Sequence, residues 1–255
     1  MSTDTHYPSL VGLPVIISGG ASGIGESLVR NFAAQGAKVG FVDLMAERGA
    51  ALADELRAAG QTVQFIACDI TDTAAYTRAI AELAGRHGDA LVLVNNAAHD
   101  ERHDWQEVTP AYWDDRMAVN LKHCFFAIQA VAPGMVRAGR GSIINTGSIS
   151  WMIMAPRLPI YEAAKAAMHG LTRSMARELG KNGIRVNTLV PGWVMTERQI
   201  THWLDAQTEQ LIDSTQALAG RVRPDDIARM AMFLAAQDSA MISAQQFVVD
   251  GGWAN

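Results

Sequence analysis

Cysteine is scarce in this chain: Cys68 and Cys124 are the only two in 255 residues. Both stand in apolar surroundings, Phe65-Ile66-Ala67-Cys68 and His123-Cys124-Phe125-Phe126. Two thiols so placed exclude a disulfide-stapled scaffold and a cysteine-based metal site, and read as buried thiols of a reducing compartment. An excess of positive charge is also missing. Lys and Arg total 21 against 26 Asp and Glu, a formal net charge of −5, and no basic run offers a nucleic-acid footprint. No apolar run approaches the roughly 18 residues of a membrane span. The opening MSTDTHYPSL lacks both the basic and the apolar stretch of a secretory signal. There is no short repeat, no low-complexity tract and no Pro/Ser/Gly linker. These absences predict a cytoplasmic protein with no nucleic-acid or membrane partner, built as a single domain over 1–255.

What the chain does have is apolar residues, 49% of the total, enough for a large core. They come as short runs alternating with longer amphipathic segments. Strands are predicted at 15–17, 38–42, 63–67, 90–94, 142–146, 184–190 and 246–250. Helices are predicted at 24–35, 46–59, 73–86, 110–118, 121–137, 162–179, 205–218 and 225–236. Near-continuous apolar strands separated by helices indicate a parallel sheet covered on both sides. The fold class is α/β: a single Rossmann-type, doubly wound, seven-stranded parallel sheet with helices on both faces.

Polar punctuation follows the strands. The first turn reads Ser18-Gly19-Gly20-Ala21-Ser22-Gly23-Ile24-Gly25, between a strand and a helix. Glycines there let backbone N–H groups approach a pyrophosphate, and the helix N-terminus adds partial positive charge. Asp43, followed by Leu44, ends the second strand, where a carboxylate can accept from adenosine ribose hydroxyls. Asp69-Ile70, Asn96-Ala97-Ala98 and Pro191-Gly192 follow later strands, so they are predicted to face one crevice at the carboxyl edge of the sheet.

The stretch from Ser148 to Lys165 carries the chemistry. Tyr161 and Lys165 are four apart at the start of a predicted helix, and therefore on one face. A free phenol is a poor base at neutral pH. A neighbouring ammonium favours the phenolate and draws its pKa toward working range. Ser148, just past a predicted strand, can orient an alcohol or carbonyl oxygen toward the tyrosine. Taken alone, a Tyr-x-x-x-Lys pair is also what an ordinary helix surface shows; the dinucleotide-type turn upstream is what gives it weight.

Together these residues closely resemble the short-chain dehydrogenase/reductase family, over the chain from Gly19 to Asp250-Gly251-Gly252-Trp253. Two departures are visible: Ser18 stands where threonine is usual, and Ala98 where glycine is usual. The resemblance implies roles by position. Tyr161 would be the general acid/base, Lys165 would lower its pKa and bind the nicotinamide ribose, and Ser148 would hold the substrate oxygen. Asn120 would support a water chain that carries the proton out. Gly19, Ser22, Gly23, Ile24 and Gly25 would bind pyrophosphate, Asp43 and Leu44 the adenosine ribose, and Asp69 and Ile70 the adenine. Asn96, Ala97 and Ala98 would lie near the nicotinamide ribose, and Pro191, Gly192, Val194 and Thr196 near the carboxamide. No metal is needed for that chemistry. The negative Asp43 predicts NAD as cofactor, with NADP a weaker alternative. Arg48, the nearest cation to Asp43, is expected to face solvent one helical turn away.

Two stretches are more specifically similar to bacterial aldose 1-dehydrogenases of this family, xylose dehydrogenases among them: Asn95 to His103, and Gly147-Ser148-Ile149-Ser150-Trp151. Thr196-Glu197-Arg198-Gln199 follows the same pattern. The resemblance implies a sugar oxidised at C1 to its lactone. Asp100, Arg102, His103, Ser150, Trp151, Trp193, Arg198 and Gln199 would then bind substrate with Ser148 and Tyr161, and the segment at about 192–218 would cover the crevice. The alternatives are a carbonyl reductase or secondary alcohol dehydrogenase for a less polar substrate, and a dead nucleotide sensor. His99, Asp100, His103 and Asp104 could also suggest a metal site, although a loop lacks the spacing to converge them. Trp113 and Trp253 are read as packing or interface residues. A homotetramer is expected on the resemblance.

Overall fold

The computed structural model describes residues 5–254. The first four residues of the N-terminal stretch read for a secretory signal, and both ends of the expected 1–255 domain, lie outside them.

All seven strands join one sheet: β1 (Pro14–Ser18), β2 (Lys38–Asp43), β3 (Val63–Ala67), β4 (Val92–Asn95), β5 (Gly141–Thr146), β6 (Ile184–Pro191) and β7 (Gln246–Val249). Their order is β3-β2-β1-β4-β5-β6-β7, with every neighbouring pair parallel. The chain turns outward in one direction from β1 to β3, then crosses to β4 and continues the other way. The crevice beyond the carboxyl ends of β1 and β4 is therefore the topological switch point.

Nine α-helices are present among the described residues: α1 (Gly23–Ala34), α2 (Ala46–Ala58), α3 (Thr73–His87), α4 (Pro110–Met117), α5 (His123–Ala138), α6 (Pro159–Leu179), α7 (Glu197–Trp203), α8 (Ala206–Thr215) and α9 (Pro224–Ala235). Each strand sends alternate side chains to opposite faces, so two cores form. On one face Ile17 and Phe41 pack with Leu28 and Phe32 of α1 and Ile227 and Met232 of α9. On the other, Ile16 and Leu93 pack with Tyr76 and Leu83 of α3 and Ile128 and Met135 of α5. Both cysteines are free and buried, and burial pushes the Cys124 thiol up to about 12. No helix among the described residues is long and apolar enough to cross a membrane.

Three boundaries differ from the sequence expectation. The helix predicted from 162 begins at Pro159, because a proline at the first helical position loses no needed N–H. The helices predicted at 110–118 and 121–137 are joined through a π-helical turn, Ala118–Lys122, instead of a break. The stretch before 205, expected to be irregular, contains α7. Its start carries a capping signature, Thr196-x-x-Gln199, and the Thr196 hydroxyl accepts from the Gln199 N–H at 3.2 Å.

Candidate active site

Between β1 and α1 the chain makes the glycine turn. Gly19 has φ +68°, and a Cβ there would meet the backbone of Ala97 at 2.8 Å. Gly25 is tighter still: a Cβ would fall 1.6 Å from the Gly19 carbonyl oxygen. The turn is thus folded onto the helix it precedes, which only glycine permits. A polar strut holds it against the next crossover. Ser18 Oγ accepts from the N–H groups of Asn96 and Ala97, each at 3.1 Å, and Asn96 Nδ2 donates to the carbonyls of Ser18 and Gly19 at 3.1 and 3.0 Å. The hydroxyl shared by serine and threonine at position 18 has a structural use.

Asp43 closes β2. Its Oδ2 accepts from the Ala21 N–H at 2.9 Å and its Oδ1 from the Met45 N–H at 2.9 Å. A carboxylate has about four acceptor positions, so two remain for an outside donor. Arg48 is exposed, as expected, but it also lines the cleft, with Nη1 2.9 Å from Glu197 of α7 and Nη2 3.4 Å from Glu26 of α1.

At the other end, β5 and α6 bring the chemistry together. Ser148, Tyr161 and Lys165 line one cleft of about 910 Å³ together with the glycine turn, Asp43 and Asp69, within the ~300–1,000 Å³ usual for ligand sites. Lys165 is buried and donates to the Thr146 carbonyl at 2.7 Å. Burial pulls its pKa down to about 8. Its Nζ lies 5.6 Å from the centre of the Tyr161 ring. The protein groups alone push the Tyr161 phenol upward: burial is the largest cause and the Asp100 charge adds to it, while a hydrogen bond with Ser148 pulls it down. The upward push of burial runs against the lowering that the Lys165 spacing predicts.

Asn120 does not line the cleft. It is fully buried in the π-helical turn, where its Oδ1 accepts from the His99 N–H at 2.8 Å. Its Nδ2 donates to the carbonyls of His99 and Arg116 at 3.1 and 2.9 Å. In this arrangement Asn120 braces the loop that follows β4.

That loop and α7 form the outer wall. Asp100 accepts from Arg198 Nε at 3.0 Å and from Gln199 Nε2 at 2.6 Å, joining the two across the cleft mouth. The Arg102 guanidinium lies 4.1 Å from the centre of the Trp203 ring and 5.9 Å from that of Trp193, a cation–π arrangement. Asp100, Arg102, Ser150, Trp193, Arg198 and Gln199 all line the cleft, as do Ala98, Ile70, Leu44 and the Pro191–Thr196 residues anticipated for a cofactor.

Two expected substrate residues do not line this cleft. Residues 149–153 make a helical turn, with the Ile153 N–H donating to the Ile149 carbonyl at 3.1 Å. Side chains four apart share a face and those two apart do not, so Ile149 and Ile153 reach the cleft and Trp151 does not. His103 also points elsewhere. Its Nδ1 lies 3.1 Å from Tyr112 Oη, and it lines a neighbouring cavity with Trp105 and Arg157. Conversely, Trp253, read as a packing residue, lines the cleft, as do Met45, Arg48 and Glu197. Among the described residues no group of three or more His, Cys, Asp or Glu converges to hold a metal ion.

Residues 19–254 match the family model described as enoyl-(acyl carrier protein) reductase. The chain is 45% identical over 247 residues to D-xylose 1-dehydrogenase of Caulobacter vibrioides, covering 97% of this chain and 98% of that one. It is 43% identical over 249 residues to a probable galactose dehydrogenase of Rhizobium meliloti, covering 97% of each. Among solved structures it is similar to a gluconate 5-dehydrogenase of Burkholderia cenocepacia in complex with NADP and tartrate, with TM-score 0.88, 33% identity and coverage of 96% and 97%.

Proposed function

The chain belongs to the short-chain dehydrogenase/reductase family, and from that premise we propose that it is an NAD-dependent aldose 1-dehydrogenase. It oxidises the C1 hydroxyl of an aldopyranose to the aldonolactone. One observation carries the reading: Ser148, Tyr161 and Lys165 share a cleft with a glycine turn at one end and, at the other, a wall of Asp100, Arg102, Trp193, Arg198 and Gln199. Such a wall offers donors and acceptors for several hydroxyls and an aromatic face for a sugar ring. The same residue types suit the sugars named for the Caulobacter and Rhizobium relatives.

The residues present fit a dinucleotide. The turn at Gly19 and Gly25 has no room for side chains where a pyrophosphate would approach, and Asp43 keeps two acceptor positions for ribose hydroxyls. Asp69 and Ile70 flank the adenine end, and Ala97, Ala98, Val194 and Thr196 the nicotinamide end. Bound there, the cofactor supplies hydride acceptance in oxidation and hydride donation in reduction. Ser148 holds the C1 oxygen against Tyr161. The Tyr161 phenolate takes the hydroxyl proton as the C1–H bond breaks. The positive charge of Lys165 stabilises that phenolate and orients the nicotinamide ribose. Asn120, by bracing the His99 backbone, keeps open the path on which the proton leaves through water. The negative Asp43 favours NAD over NADP, which a 2′-phosphate would meet as a like charge.

Initial rates over a panel of aldopentoses, hexoses and non-sugar alcohols, each with NAD⁺ and NADP⁺, test this reading. Aldopyranoses with NAD⁺ are expected to give the highest kcat/KM. If no aldose reduces NAD⁺ at concentrations well above usual KM values of about 1 μM–1 mM, the apolar wall of Ile153, Ala155 and Leu158 makes a secondary alcohol or ketone the substrate instead.

Asp100 provides a pH test. Its charge raises the Tyr161 phenol, and oxidation requires the deprotonated phenol. Asp100→Asn therefore moves the rising limb of kcat/KM to lower pH, while KM for the sugar rises because Arg198 and Gln199 keep only one neutral acceptor oxygen between them. An unmoved limb would show that Asp100 acts only in holding α7.

The reading extends to a homotetramer and a cytoplasmic location. Phe125 and Val136 of α5 are exposed apolar side chains suited to a subunit contact, and two unpaired buried thiols suit a reducing compartment. Light scattering that gives the mass of a single chain would refute the assembly.

A further inference from the structure

Three successive residues tie α7 to both sides of the cleft. Arg198 and Gln199 hold Asp100 on the substrate side, as described above. Glu197 reaches the other way and accepts from Arg48 Nη1 at 2.9 Å. Arg48 belongs to the first turn of α2 and lines the cleft beside Asp43, Leu44 and Met45, the adenosine end. Its second contact, to Glu26 at 3.4 Å, is longer, and Glu26 is itself engaged by Arg30 at 2.9 Å.

Arg48 is thus the cation placed to meet a phosphate on the adenosine ribose, and it is already occupied. Asp43 is held by the Ala21 and Met45 amides, each at 2.9 Å, so its carboxylate is not free to rotate away from such a phosphate. Arg48 is the group that can adjust. We propose that Glu197 is a selectivity residue for the dinucleotide: by engaging Arg48 it withholds the guanidinium that a ribose 2′-phosphate would need, and so strengthens the preference for NAD⁺. NAD⁺ carries no such phosphate and makes no demand on Arg48. NADP⁺ must break the Glu197–Arg48 pair and bring its own charge of about −1.5 to −2 close to the Glu197 carboxylate.

The pair is partly open to water, with side-chain exposures of 40% for Arg48 and 73% for Glu197, so the effect is modest. Exposed pairs contribute up to about 1 kcal/mol, which corresponds to roughly a fivefold change in affinity. The test is calorimetric binding of NADP⁺ and NAD⁺ to the whole protein, which requires no sugar and stands apart from the substrate reading. Glu197→Gln is expected to tighten NADP⁺ about fivefold, with a smaller change for NAD⁺. Arg48→Leu should weaken NADP⁺, and the double variant should show none of the gain, since the carboxylate acts through the guanidinium. An unchanged ratio of the two affinities in Glu197→Gln overturns the proposal. So does a gain that survives in the double variant, because the carboxylate would then act on the phosphate directly. If the wild-type protein bound neither dinucleotide, the cofactor reading itself would fall, and this proposal with it.

Discussion

Tyr161→Phe is expected to remove nearly all turnover, a loss on the order of 10²–10⁴ in kcat, the range for removing a general acid or base. The substitution deletes one oxygen and leaves the ring that Lys165 lies beside. Cofactor binding should stay close to wild type, because the glycine turn, Asp43 and Asp69 are untouched. The measurement is a steady-state rate with calorimetric NAD⁺ binding on the same sample. A variant that retains a tenth of the wild-type kcat would remove Tyr161 from the role of base. Lys165→Met makes a second arm. Loss of the ammonium should lower kcat and shift the pH profile to the alkaline side, since the phenolate loses its cationic neighbour.

Gly25→Ala is expected to be the most damaging single methyl in the cleft. The added carbon would stand 1.6 Å from the Gly19 carbonyl oxygen and 2.9 Å from Asn96 Nδ2. Neither neighbour can yield cheaply. The carbonyl is backbone in a turn with φ +68° at Gly19, and it also accepts from Asn96 Nδ2 at 3.0 Å. The turn must therefore move off the helix and take its N–H groups out of register with a pyrophosphate. Overpacking of this kind costs about 1–3 kcal/mol, which lowers the melting temperature by several degrees in a chain of this size. NAD⁺ affinity should fall by far more than the stability change alone suggests. A thermal melt paired with calorimetry would decide it: an unchanged NAD⁺ affinity would show that the turn is not the phosphate cradle. Gly85, beside whose Cβ position nothing lies within 4 Å, is the control, since alanine there should leave both readouts near wild type.

The parallel sheet, the glycine turn, the acidic residue that ends β2 and the Tyr–Lys pair of α6 were all legible in the amino-acid order. Each depends on local rules: hydrophobic runs that must be buried on both faces, φ values open only to glycine, and a helical repeat that puts Tyr161 and Lys165 on one face. The start of α7 was missed, although Thr196 and Gln199 carry a capping pattern there that could have marked it. Contacts between distant segments were not legible. Trp151 sits three residues after Ser148 and looks destined for the pocket, yet a helical turn rotates it away and brings Ile153 instead. His103 follows Arg102 directly, but only Arg102 meets the cleft, with its guanidinium over the rings of Trp193 and Trp203. Arg48 is exposed as its place on α2 implied, but its pairing across the cleft was hidden, because its partner Glu197 lies 149 residues away. The ionisation of Tyr161 was likewise decided by burial and by Asp100, which comes from another loop. Sequence alone determined what each strand and turn can be, since those choices are made within a few residues. Which side chains share a cleft, and what charge each one meets there, was decided only when seven strands and their crossovers brought remote residues within a few ångströms.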